Sequence, residues 1–228
     1  GKKFQGVVDH YLFIGNPGTG KTTVARIMGN IFYSLGVLPS NRLLEVTRKD
    51  LVEGYVGQTA TKTARVVKRA VGGVFFIDEA YSLMGDNFGQ EATNTILPML
   101  LDYKGKMVCI AAGYPREIRQ WIDTNSGLES RFTKVIHFED YNPDELAQIF
   151  RMKVKKDKLT LTPEAENAMR VYFTDLYNRR ERNFANAREV NNYFDRVKKN
   201  QSSRLRHEME RPDFDPASYS ILLPEDMG

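Results

Sequence analysis

The sequence predicts an α/β domain built on a parallel sheet, followed by a small helical domain. Short apolar runs alternate with helical patterns up to about residue 140, and a glycine-rich turn joins the first run to the first helix. Beyond residue 143 mainly helical patterns follow. Such alternation is typical of a parallel sheet covered by helices on both faces. We therefore divide the chain into a core at 1–140, a helical domain at 141–211 and an irregular tail at 212–228.

The predicted strands are short apolar runs bounded by turn or helix signals. They lie at 11–14, 43–46, 74–77, 107–111 and 135–138, and a further short strand is possible at 220–223. Helical spacing of apolar residues predicts helices at 21–35, 59–71, 90–103, 116–123, 143–157, 163–178 and 186–207. A cap residue followed by proline marks two helix starts, at Asn142 and at Thr162.

Composition excludes several classes of protein. The single cysteine, Cys109, rules out a disulfide framework, so we expect a reducing, cytoplasmic compartment. No apolar run has the length of a membrane span and no secretory signal opens the sequence, so we expect no membrane association. Residues 151–211 carry 16 basic and 9 acidic side chains. Aromatic residues are not interleaved there as stacking platforms, so we favour a solvated helical surface over a nucleic-acid interface.

A complete phosphate-binding loop follows the first predicted strand. Residues 15–22 match G-x-x-x-x-G-K-[ST], with a strand before them and a helix after them. Backbone N–H groups and the helix N-terminus would hold a phosphate, Lys21 would reach the β- and γ-phosphates, and Thr22 would bind Mg²⁺. The residues expected to surround ATP are Asn16, Pro17, Gly18, Thr19, Gly20, Lys21, Thr22 and Thr23.

Two carboxylates end the third predicted strand. Asp78 and Glu79 follow four apolar residues directly. A buried strand would deliver Asp78 to the metal ion, and Glu79 would polarise a water for attack on the γ-phosphate. The alternative, two solvated acids at a strand end, is disfavoured by the phosphate loop upstream.

The chain resembles AAA+ ATPases over nearly its whole length. The phosphate loop, the Asp-Glu strand end and Asn186-Ala187-Arg188 carry this resemblance. Further segments at 55–60, 76–83, 88–92 and 112–114 are similar to the group of stage V sporulation protein K, CfxQ and CbbX. That group includes red-type Rubisco activases and the C-terminal ATPase domains of type VII secretion proteins. The resemblance implies a P-loop NTPase core with strand order 5-1-4-3-2 and a C-terminal helical lid.

The resemblance also implies roles for residues outside the phosphate loop. Arg131 is similar to the arginine finger that reaches the ATP of a neighbouring subunit, and Arg188 to the second sensor that touches the γ-phosphate. Tyr55, Val56 and Gly57 resemble the loop that grips a client polypeptide in the pore of a ring, most often a hexamer. The first sensor position reads Ala112-Gly113-Tyr114 in place of the usual polar residue, so no first sensor is assigned.

The function expected is therefore a ring-forming, Mg-ATP-hydrolysing ATPase that remodels a client polypeptide. Two alternatives stay open at this point. A nucleic-acid-linked ATP switch, as in clamp loaders or initiators, would use the basic helical domain. An assembly scaffold would bind ATP and hydrolyse it negligibly, but the intact pair of Asp78 and Glu79 disfavours this alternative.

Overall fold

The computed structural model describes residues 9–55 and 57–228. Two compact units make up the chain. The first unit extends up to Asn16 and continues over Gly20–Glu139, and the second comprises Pro17–Thr19 and Asp140–Gly228. The tip of the phosphate loop is thus grouped with the second unit, whereas the sequence places it within the first domain.

A five-stranded parallel sheet forms the centre of the first unit. The strands pair in the order β2-β3-β4-β1-β5, which confirms the predicted order. Every pair is parallel, so the carboxyl ends of the strands lie along one edge of the sheet. The strands are β1 Tyr11–Gly15, β2 Leu43–Val46, β3 Val74–Ile77, β4 Val108–Gly113 and β5 Lys134–Phe138.

The long helices of this unit lie where the sequence predicts them. They are α1 Lys21–Ser34, α3 Gln58–Ala70, α4 Asn87–Asp102 and α5 Pro115–Asp123. Three short helices were not expected: α2 Arg48–Leu51, a 3₁₀ helix at Ala80–Leu83 and α6 Ser126–Arg131. Each has six residues or fewer, too few to show an apolar period.

Helices cover both faces of the sheet. Because successive side chains of a strand point to opposite faces, Phe75 and Ile77 pack on one side with α3, α4 and α5. Val74 and Phe76 pack on the other side with α1. The single tryptophan and the single cysteine of the sequence are both buried in the first of these cores. Trp121 on α5 is 2% exposed, and the Cys109 thiol of β4 is fully buried, which raises its pKa.

Three helices build the second unit around their own core. They are α7 Pro143–Lys156, α8 Pro163–Asn178 and α9 Ala187–Glu208. The predicted start signals act as caps, because the Asn142 side chain accepts the Glu145 N–H and the Thr162 side chain accepts the Ala165 N–H. Within the described residues, no helix combines the length and the apolar character needed to cross a bilayer.

Residues 212–228, expected to be irregular, pack onto the helices of the second unit. A two-residue strand, β7 Ile221–Leu222, pairs with β6 Thr160–Leu161. Short 3₁₀ helices flank it at Pro216–Ser220 and Pro224–Met227. Leu222 and Met227 are buried in the helical core, so this segment belongs to the unit's hydrophobic centre.

Candidate nucleotide-binding site

Glycines allow the backbone conformation of the phosphate loop. A Cβ atom on Gly15 would lie 2.4 Å from the Phe138 carbonyl oxygen of β5, so only glycine fits there. Gly18 and Gly20 have φ values of 71° and 91°, in the left-handed region that favours glycine. Gly20 caps α1 without a side-chain bond. The N-terminal N–H groups and the helix dipole of α1 therefore favour an anion at this end.

The charged and hydroxyl groups of the loop lie in the first turn of α1. The Lys21 ammonium donates to the carbonyl oxygens of Gly15 and Asn16, at 2.8 and 2.7 Å. The Thr22 hydroxyl donates to the Glu45 carboxylate of β2 at 3.4 Å. Thr23, also expected at the site, is exposed on the same turn. Sequence reasoning missed Glu45, which no motif marks.

Asp78 and Glu79 directly follow the fully buried strand β3. The Asp78 N–H donates to Val46 O of β2 at 2.8 Å, which continues the sheet ladder to the first carboxylate. The Glu79 N–H donates to Asp78 Oδ1 at 3.0 Å. Glu79 has φ 49° and ψ 46°, a left-handed conformation that is unusual for a residue with a side chain. Such strain collects at functional sites.

A pair of tyrosines lies beside these carboxylates and was not predicted as a pair. The rings of Tyr81 and Tyr114 stack with their centroids 5.6 Å apart. Tyr81 also covers Gly113 at the end of β4, where a Cβ atom would lie 2.7 Å from its ring. Burial raises the pKa of Tyr81, and the nearby Glu79 carboxylate raises it further. Tyr81 is therefore a neutral hydroxyl that packs against Gly113 and Tyr114, the segment where a polar first sensor was sought.

Arg131 ends α6 in a half-buried position. Its Nη1 donates to the Ser130 hydroxyl at 2.6 Å, while its buried Nε has no partner within the described residues. With His10 and Lys104 it lines a cavity of about 120 Å³. His10 accepts the Cys109 N–H at 3.0 Å. Burial lowers the pKa of His10, and the charges of Lys104 and Arg131 lower it further.

The remaining loop residues and the predicted second sensor lie in the second unit. Pro17 and Gly18 contact the start of α9, where Asn186 Nδ2 donates to Pro17 O at 3.3 Å and Ala187 N donates to Gly18 O at 3.1 Å. Thr19 O accepts the Tyr141 hydroxyl at 3.0 Å. A Cβ atom on Gly18 would lie 2.2 Å from Ala185 O, so this approach also requires glycine. Arg188 is exposed in the first turn of α9. The start of this helix and the loop tip therefore share one unit.

The predicted client-gripping loop precedes α3. Tyr55 is 74% exposed, so its ring is not packed under the turn that precedes α3. Gly57, at φ 81°, caps α3. Val56 lies outside the described residues.

Two family models match the chain along most of its length. The model described as ATPase family associated with various cellular activities (AAA) matches residues 11–140. The model described as AAA lid domain matches residues 142–228.

Curated relatives are 41% to 46% identical to this chain over the aligned residues. Protein CbbX of Cereibacter sphaeroides is 41% identical, covering 96% of this chain and 71% of the relative. The chloroplastic ribulose bisphosphate carboxylase/oxygenase activase of Cyanidioschyzon merolae is 43% identical, covering 86% and 68%. The ESX-1 secretion system protein EccA1 of Mycobacterium tuberculosis is 46% identical, covering 68% of this chain but 28% of the relative.

A solved structure shows the same fold at low sequence identity. The FIGL-1 AAA domain in complex with ADP has a TM-score of 0.64 at 17% identity, covering 96% of this chain and 69% of that one.

The fold and the loop define a phosphate-loop nucleotide hydrolase with a helical lid. Within that class the chain belongs to the AAA family, and it is an ATP-hydrolysing enzyme.

Proposed function

We propose that this ATPase works as a ring, with a hexamer as the expected form, and remodels a client polypeptide that Tyr55 grips. The observation that carries the chemistry is the strained Glu79 beside Asp78, at the carboxyl end of β3. The names of the relatives support a protein client, since one of them is an activase of another enzyme. The sequence motifs support the ring, because the predicted arginine finger acts on a neighbour.

In this proposal the chain's own groups divide the work of hydrolysis. Backbone N–H groups of the loop and Lys21 bind the phosphates of ATP, and Glu79 accepts a proton from the attacking water. Tyr81, held neutral beside Glu79, is a hydroxyl that can orient that water. Arg131 stabilises charge on the phosphoryl group of the neighbouring subunit, and Arg188 contacts the γ-phosphate of its own.

Mg²⁺ fits the donor set that the chain offers. Thr22 supplies a hydroxyl and Asp78 a carboxylate, which are the hard oxygen ligands this ion prefers. Within the described residues, no group of three or more His, Cys, Asp or Glu side chains could hold a metal ion without further ligands. Mg²⁺ usually takes one or two carboxylates and completes its shell with phosphate and water. When bound, the ion neutralises charge on the β- and γ-phosphates.

Mixing two inactive variants tests the shared site. Glu79→Gln should lower kcat about 10²- to 10⁴-fold, the usual effect of losing a general base, while ATP still binds. Arg131→Ala should lower it about 10³-fold or more. A 1:1 mixture should recover roughly a quarter of wild-type activity, because a quarter of the interfaces in a random ring pair an intact Glu79 with an intact Arg131. The measurement is steady-state ATPase activity against protein concentration.

The control for the mixture is Arg119→Ala, which changes an exposed arginine on α5 and should retain full activity. A mixture as inactive as its components, when both variants assemble like wild type, would show that Arg131 does not act in trans. Wild-type activity that is independent of concentration down to the monomer would contradict the ring.

A second arm tests the client. Reduced, carboxymethylated lactalbumin, a permanently unfolded polypeptide, should stimulate wild type and Tyr55→Phe but not Tyr55→Ala, because an aromatic ring grips a chain without reading its sequence. Tyr33→Ala is the matched control, since Tyr33 is also exposed, on α1. Equal stimulation of Tyr55→Ala would exclude Tyr55 as the gripping residue.

A further inference from the structure

The carboxamide of Asn186 is buried at the point where the loop tip meets the start of α9. Asn186 is 0% exposed. Its Nδ2 lies 2.8 Å from Asp140 Oδ1, 3.0 Å from Phe184 O and 3.3 Å from Pro17 O. Its Oδ1 accepts the Tyr141 N–H at 2.8 Å. All these residues belong to the second unit, and they use both the donor and acceptor capacity of the amide.

The backbone of Asn186 is held in a conformation that few residues adopt. Its φ is 50° and its ψ is −118°. A non-glycine residue at such angles costs on the order of 1–3 kcal/mol and persists only where its surroundings fix it. The side-chain bonds to Asp140 and Tyr141 supply that constraint.

The loop tip is bonded through the carbonyl oxygen of each of its three residues. Pro17 O lies against Asn186 Nδ2, Gly18 O accepts the Ala187 N–H at 3.1 Å, and Thr19 O accepts the Tyr141 hydroxyl at 3.0 Å. In a trans peptide the C=O of one residue and the N–H of the next point in opposite directions. Fixing these three carbonyls therefore turns the N–H groups of residues 18, 19 and 20 away from the donors that bind the carbonyls, namely Asn186, Ala187 and Tyr141.

We propose that Asn186 is a positioning residue of the ATP site. Its amide fixes the carbonyl of Pro17, and it thereby aims the Gly18 N–H, on the opposite side of that peptide, at the phosphates. This role rests on the proposal that the loop binds ATP. It is separate from that of Arg188, because it acts through the backbone of the loop and requires no contact between Asn186 and the nucleotide.

An exchange of two side chains separates this role from a purely structural one. Asn186→Asp keeps the acceptor for the Tyr141 N–H, loses both donors and places a second carboxylate beside Asp140. Adding Asp140→Asn restores a donor–acceptor pair between positions 140 and 186 with reversed direction. It does not restore the donor to Pro17 O. The double variant thus repairs the link between 140 and 186 while leaving the loop tip without its amide.

The experiment measures the thermal midpoint, the Kd for ATP, and kcat and KM for wild type, both single variants and the double variant. Asn186→Asp should lose both stability and ATP affinity. The double variant should regain the midpoint of Asp140→Asn but bind ATP about tenfold more weakly than that variant, the effect of one lost hydrogen bond. KM should rise more than kcat falls, since the loss lies in binding. Asn192→Ala, an exposed position on α9, should match wild type in every measurement.

ATP binding by the double variant as tight as that of Asp140→Asn would overturn the proposal. If Asn186→Asp fails to fold in either background, Asn186→Gly provides the test, because glycine tolerates the positive φ without an amide. Folded Asn186→Gly with wild-type ATP affinity would equally overturn it. Lys21→Ala tests the underlying assignment separately. If that variant binds ATP as tightly as wild type, the loop is not the phosphate site.

Discussion

At the scale of single residues, Glu79 and Asn186 each combine a side chain with a positive φ. The roles proposed for Lys21 and Asp78 follow from motifs that can be recognised in the sequence. The positive φ of Glu79 and Asn186 does not, because neither residue type requires it. The conformation of Asn186 is held by bonds to residues that the fold brings close, such as the Tyr141 N–H, whereas Glu79 bonds to its neighbours Asp78 and Ser82. The candidate residues could be predicted, therefore, but their strain could not.

A substitution of Gly15 tests the close approach of β1 and β5 at the start of the phosphate loop. In Gly15→Ala the new Cβ would lie 2.4 Å from Phe138 O and 2.7 Å from Phe138 Cβ, so two strands must separate. We expect the free energy of unfolding to fall by about 1–3 kcal/mol or more, as in other overpacked sites. The measurement is urea denaturation. Gly54→Ala is the control, since a Cβ atom there would meet no described atom within 4 Å. A loss for Gly15→Ala no larger than that of Gly54→Ala would contradict the steric account.

At the scale of elements, a helix or strand can be predicted from the sequence only when it is long enough to show an apolar pattern. The buried strand β3 and the long helix α8 are predicted with their observed bounds, because each displays its apolar pattern in full. The pairing of β6 with β7 joins segments about sixty residues apart. The possible strand at 220–223 is present as β7, but its partner β6 was not expected, because a two-residue strand shows no apolar pattern and forms only where packing places it beside a partner. For this reason the sequence suggests an irregular tail where the structure has part of a hydrophobic core.

A buried ion pair fixes that tail to α9. Arg204 Nε and Nη2 donate to the two Asp226 oxygens at 2.9 and 3.0 Å, and the Asp226 side chain is 1% exposed. Arg204→Ala should destabilise the second unit by about 3–5 kcal/mol, because it leaves a buried carboxylate unpaired. The measurement is the helical signal in circular dichroism during urea denaturation.

Two further variants complete this test. Arg206→Ala, exposed two positions along the same helix, should change stability by less than about 0.5 kcal/mol. The pair Arg204→Met with Asp226→Leu should recover most of the loss, since apolar residues of similar volume often replace a buried ion pair without cost. A double variant no better than Arg204→Ala would show that the damage is not the unpaired charge.

At the scale of the whole molecule, the order of the strands could be predicted from the sequence, but the division of the chain into two units could be predicted only in part. Five strands in the expected order follow from alternating patterns and the family resemblance. The grouping of Pro17–Thr19 with a unit that otherwise begins at Asp140 does not follow, because it depends on contacts between distant parts of the chain. The assignment of the loop tip to the helical unit is thus a property of the fold that no local sequence motif predicts.

The central position of Cys109 makes its thiol a reporter of opening of the sheet. It is fully buried in β4, between β1 and β3, and burial raises its pKa. We expect a thiol reagent to label it only when the first unit opens. ATP at 100 times its Kd should slow labelling about 100-fold, because ligand binding stabilises the closed state by that factor. Lys21→Ala, which removes the phosphate contact that we propose, should show little slowing. Rapid labelling of native wild type would contradict this burial.

The position of Trp121 provides a spectroscopic probe of folding. It is the chain's one indole, and it is buried in the first unit, whereas the second unit contains tyrosines such as Tyr193 and Tyr219. Tryptophan fluorescence, when it is excited selectively, therefore reports on the first unit alone. Far-ultraviolet ellipticity, to which the helices of both units contribute, follows both. Two optical channels on a single unlabelled sample can thus separate the refolding of the sheet from that of the lid.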